Sequence, residues 1–103
     1  MLVRVAEAGK TVFQLRKGEE GLSAFLLEAV DPPLTEAEVL ENFRVGSVAV
    51  LRSEPEVLAK GLLLVPIPGI DPLPTRLRDA HVEIRPGPGM TRALFKQALK
   101  ELE

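Results

Sequence analysis

Arg76, Arg78, His81, Arg85 and Arg92 gather in one stretch of the C-terminal third of the chain. Between the last two arginines runs Pro86-Gly87-Pro88-Gly89-Met90-Thr91, and an apolar helical stripe follows. A glycine turn that opens a helix presents unpaired N–H donors and the positive end of the helix dipole. With Arg85, Gly87, Gly89, Thr91 and Arg92 at the turn, and Arg76, Arg78 and His81 just upstream, the segment is a candidate site for a phosphate-type anion or a nucleotide. The plainer reading is structural. Pro86 and Pro88 stiffen a turn, the glycines permit its dihedrals, and Thr91 caps the helix. The phosphate-loop pattern G-x-x-x-x-G-K-[ST] is absent, and G-x-G-x-x-G fails because Met90, Thr91 and Arg92 follow Gly89.

Other chemistries find less material. His81 is the only histidine and there is no cysteine, so two-histidine mechanisms, thiolate nucleophiles and cysteine metal sites have no members. His81 as a general base needs an orienting carboxylate, for which Asp79 or Glu83 is near in sequence. Ser23, Ser47 and Ser53 lie outside any G-x-S-x-G elbow, and Ser53 suits a helix cap. Glu38 and Glu41 share a helix face, but the E-x-x-H element of a di-metal site is missing. No catalytic residue, metal site or cofactor is expected.

The segment HVEIRPGPGMTRALFKQALKEL, residues 81–102, resembles the C-terminal half of small HicA-type toxin ribonucleases. Both join a strand, a glycine turn and a Thr-led helix. That family's glycine-serine-histidine segment, which holds its active histidine, has no counterpart in this chain. The resemblance therefore implies no ribonuclease activity here.

The elements that must position these residues follow from periodicity. Residues 2–7 and 11–16 alternate, with Phe13 and Leu15 on one face, and Gly9-Lys10 suits a tight turn. They are expected to form an N-terminal hairpin. Leu22, Phe25, Leu26 and Ala29 follow helical spacing, so 22–30 is expected to be a helix, with a strand over 22–27 as the alternative. Thr35 and Glu38 form a capping box, with Leu34 and Val39 at the staple positions. VGSVAVL, 45–51, reads as a buried strand, and Ser53, Pro55 and Gly61 bracket a helix. LLLVPI, 62–67, is a strand whose Pro66 places its end at an edge or a bulge. Residues 68–80, with three prolines, are expected to be a loop, and 81–85 a short strand. Leu94, Phe95, Ala98, Leu99 and Leu102 give the C-terminal amphipathic helix its stripe. The sum is an α+β single domain over 1–103. It has a mixed sheet of about five strands that starts with the hairpin, and helices mainly on one face.

Composition bounds the rest. A chain of 103 residues with 46% apolar and 27% charged residues can build one core without a staple. The net charge of −2 and four Phe as the only aromatics disfavour nucleic acid as a partner. The longest apolar run is about half of what a membrane helix needs, and no secretory signal opens the chain, so a cytoplasmic location is expected. One Asn against nine Pro and twelve Glu is a thermophile pattern. Residues 17–44 carry seven acids against Lys17 and Arg44, and residues 76–100 carry six bases against Asp79 and Glu83. Such opposed patches suit contacts between subunits or with another protein. A non-enzymatic protein that acts through protein–protein contacts as a homo-oligomer is therefore expected. An anion- or nucleotide-binding protein is the alternative.

Overall fold

The computed structural model describes residues 1–69 and 72–103. Five strands form one sheet: β1 (Leu2–Glu7), β2 (Leu22–Leu26), β3 (Ser47–Arg52), β4 (Leu63–Pro66) and β5 (His81–Arg85). Their order across the sheet is β3-β1-β2-β5-β4. Four helices accompany them: α1 (Glu36–Leu40), α2 (Glu54–Leu58), α3 (Thr75–Ala80) and α4 (Arg92–Lys100). The α+β domain with about five strands and a C-terminal helix is as expected. Every strand pairing, however, is antiparallel, so the sheet is not mixed.

Alternation along the strands divides the core in two. On one face Leu2, Leu22, Ala24, Val82 and Ile84 pack with Val57 of α2 and Phe95, Ala98 and Leu99 of α4. On the other face Val3 and Phe25 pack with Leu34, Val39 of α1, and Leu77 and Ala80 of α3. The helices are therefore not mainly on one face, as expected, but divided between the two: α2 and α4 on one, α1 and α3 with a smaller cluster on the other.

Local signals at the helix starts hold. The hydroxyls of Thr35, Ser53 and Thr91 accept from the N–H groups of Glu38, Glu56 and Leu94 at 3.1, 3.2 and 3.2 Å. Each satisfies one of the orphan donors of a first turn.

Four expectations need correction. First, the chain does begin with two consecutive antiparallel strands, but β1 pairs with β2 and β3, not with residues 11–16. Phe13 and Leu15 are buried as their alternation demands. Their backbone, however, is satisfied by side chains. Arg4 Nε donates to the Val12 carbonyl at 2.6 Å, and the Phe13 N–H donates to the Glu103 carboxylate at 2.6 Å. Alternation reports which side chains turn inward; it does not fix what the backbone pairs with. Second, 22–26 is the alternative strand, and only a short 3-10 turn at Leu27–Ala29 is helical. β2 is central in the sheet and buries Ala24 on one face and Phe25 on the other, so apolar residues fall on both sides of the strand although Ser23 stays exposed. Gly21 marks the close approach to β5: a Cβ there would lie 2.9 Å from the Ile84 carbonyl oxygen.

Third, the apolar run 45–51 supplies an edge strand, not a buried one. β3 pairs only with β1, and its residues are half-buried or exposed. Fourth, part of the expected 68–80 loop is helix α3, which buries Leu77 and Ala80 at i, i+3 spacing. Six residues are too few to display a period above the prolines that precede them. Ile70 and Asp71 of that loop lie outside the described residues.

Candidate functional site

The candidate anion residues fall into two groups at opposite ends of β5. The first is Arg85, Gly87, Gly89, Thr91 and Arg92. Arg85 Nε donates to Glu83 at 2.7 Å, and its Nη1 lies 3.8 Å from the exposed carboxylate of Glu20. Arg92 donates to the carbonyls of Glu19 and Arg16 at 2.7 and 2.8 Å, which ties the 16–20 segment to the start of α4. Both arginines border one shallow cleft with Glu20, Pro86 and Phe95. Gly89 has φ +75, and the Met90 N–H closes the turn onto the Gly87 carbonyl at 3.1 Å. At Gly87 any Cβ would sit 2.0 Å from the carbonyl oxygen of Gly61. That glycine lets the turn lie directly on the end of α2.

The second group is Arg76, Arg78 and His81. Arg76 grips Glu38 of α1 with two donors, at 2.7 and 3.3 Å, and also the Pro32 carbonyl at 2.7 Å. This pairing holds the Glu38 carboxyl below its usual range and raises the Arg76 guanidinium. Arg78 Nη2 donates to the Thr75 hydroxyl at 3.1 Å. His81 places Nδ1 2.7 Å from the Ile67 carbonyl, and its ring stands edge-on to Phe25 with centroids 5.6 Å apart. The fold does not bring these three side chains to the 85–92 turn.

The opposed charge patches meet within the chain. Arg76 with Glu38 and Arg85 with Glu20 pair across the basic and acidic windows, and Arg92 ties to the Glu19 and Arg16 carbonyls. Part of the charge separation along the sequence is therefore spent on contacts within the fold.

Two features were not singled out from the sequence. One is a cleft of about 420 Å³ on the second sheet face, bordered by Arg4, Ser23, Phe25, Phe43, His81 and Glu83. β1 and β2 pair only at Leu2↔Leu26 and Val3↔Phe25. Where they separate, Arg4 Nη1 reaches the Ser23 carbonyl at 2.6 Å, and burial lowers its pKa. The alternation of Ser23 with Phe25 and of His81 with Glu83 carries this face. It is legible only once 22–26 is read as a strand.

The other is the pair of sheet edges, which are built differently. β4 is four residues long and ends in Pro66, two devices that blunt an edge. β3 is six residues long, and its stretch Ser47–Leu51 has no proline and no charge. Val48 on β3 is 38% exposed, and Val45 in the turn before it is 99% exposed. The β1–β2 bond from Leu27 N–H to the Met1 carbonyl fixes which way the groups of β1 point. Met1, Val3 and Val5 address β2, so Leu2, Arg4 and Ala6 address β3. Through the observed register, Val48, Val50 and Arg52 then face β1, and Ser47, Ala49 and Leu51 face away. Two of those outward groups already have partners. The Ser47 N–H bonds to the Arg44 carbonyl at 3.0 Å, and the Leu51 carbonyl accepts from Arg52 Nη1 at 2.7 Å.

Among the described residues, no group of three or more histidines and carboxylates is placed to hold a metal ion, and no helix is long and apolar enough to cross a membrane. Comparison with family models, with curated proteins and with solved structures returned no match.

Proposed function

We propose that this is a non-enzymatic domain that acts through protein–protein contact as a homo-oligomer, with the edge strand β3 as its contact. The observation that supports this reading is the unprotected edge of β3, in contrast to the blunted edge of β4 on the opposite side of the sheet. A long, uncharged, proline-free edge is a template for another strand, and natural sheets protect such edges unless they use them. Two-fold dimers are the commonest closed assembly, and an antiparallel strand pair satisfies that symmetry. Backbone bonds and apolar side chains make such a contact largely independent of salt. Light scattering at moderate and high salt is expected to give a mass above the monomer in both, and Val48→Lys is expected to return the monomer. A strict monomer for the unmodified chain under both conditions would overturn the reading.

A second reading, an anion- or nucleotide-binding protein, draws on the shared cleft of Arg85 and Arg92 beside the start of α4. In it the two guanidinium groups trade their internal partners for phosphate oxygens. Thermal-shift measurements with inorganic phosphate and nucleotides test it. Stabilisation at millimolar concentrations that is lost in Arg85→Ala and Arg92→Ala would support it. No stabilisation by any phosphate compound would sink it.

A further inference from the structure

We infer that two copies of this chain pair their β3 strands antiparallel about a two-fold axis at Ala49, which sets Ser47 opposite Leu51 of the other copy. This rests on the homo-oligomer reading and makes it specific.

Hydrogen-bond complementarity selects the register. An antiparallel pair exchanges two backbone bonds at every second residue. Centred on Ala49, the outward groups meet as Ala49 with Ala49, Ser47 with Leu51 and Leu51 with Ser47. The bonds from the Ser47 N–H to the opposing Leu51 carbonyl are the two that this pairing would leave unmade. Those are the groups already satisfied inside each chain, by the Arg44 carbonyl and by Arg52 Nη1. Four bonds remain: two between the Ala49 residues, and one from each Leu51 N–H to the opposing Ser47 carbonyl. A register shifted by two residues brings a group that already has a partner against one that has none.

On one face the two Ala49 side chains meet with little bulk between them. On the other, Val48 of each copy meets Val50 of its partner. The second copy would cover Val48 and continue the sheet across the axis.

Single-cysteine cross-linking reads the register, because the chain has no cysteine of its own. Opposed residues of a bonded antiparallel pair have Cα atoms about 5.5 Å apart, within disulfide reach. Two Val48 residues, or two Val50 residues, would lie about 8 Å apart along and across the strands, which is beyond it. In glutathione-disulfide buffer, Ala49→Cys is expected to form a covalent dimer at least tenfold faster than Val48→Cys or Val50→Cys. Faster cross-linking of Val48→Cys or Val50→Cys, with all three variants dimeric by light scattering, would overturn the register and leave the homo-oligomer reading standing. Monomeric mass for all three and for the unmodified chain would overturn both. Melting curves that match the parent confirm that each variant is folded when it is scored.

Discussion

Replacing Gly87 with alanine is expected to destabilise the fold by on the order of 3 kcal/mol or more. The added Cβ would lie 2.0 Å from the carbonyl oxygen of Gly61 and 3.2 Å from its carbonyl carbon. The obstacle is backbone, so no side chain can swing away. Neither side of the contact is free to retreat. Gly61 is followed by Leu62, which is 1% exposed in the main core, and α4 is anchored there by Phe95 and Leu99. The turn must lift from the end of α2, and α4 must shift with it. Gly89→Ala is the matched control. Gly89 has φ +75, but no heavy atom lies within 4 Å of its added Cβ, so only the left-handed backbone penalty of about 1–2 kcal/mol applies. In a domain of this size, the Gly87 change corresponds to a loss of more than about 10 °C in melting temperature. Equal melting temperatures for the two variants would show that the Gly61 contact is not a packing constraint. The same comparison bears on the anion reading, because it asks whether Gly87 is there for a ligand or for the fold. The collision with Gly61 already supplies a sufficient reason for glycine.

The arginines show the same shift of meaning. Read along the chain, Arg76, Arg78, Arg85 and Arg92 are a basic cluster. In the fold, Arg76 clasps Glu38, Arg85 sits between Glu83 and Glu20, and Arg92 holds two carbonyls of the 16–19 segment. Each joins segments distant in sequence, and sequence spacing carries no information about that. Helix caps are the opposite case. Thr35, Ser53 and Thr91 act on an N–H three residues away, so their whole mechanism lies within one turn of chain and can be read from it.

The misread strands fall between these limits. The burial of Phe13 and Leu15 was legible, but the Arg4 and Glu103 side chains that satisfy their backbone were not. At Leu22–Leu26 the apolar residues match helical spacing because a central strand buries side chains on both faces, Ala24 on one and Phe25 on the other. At Ser47–Arg52 the composition of a core strand sits at a sheet edge. The sequence pattern is that of a strand with neighbours on both sides, and within one chain it has a neighbour on one side only. That mismatch between composition and position, more than the split of charge, is why β3 is proposed as the contact.

Amide exchange along β3 as a function of protein concentration tests that proposal most directly. The N–H groups of Val48 and Val50 face β1 and are protected in a single chain. Those of Ala49 and Leu51 face away. If β3 pairs with a second copy, Ala49 and Leu51 exchange at least about tenfold more slowly as concentration rises through the dissociation constant, while Val48 and Val50 barely change. Ala49 and Leu51 exchanging at the rate of an open edge at every concentration, beside a protected Val50, would contradict it.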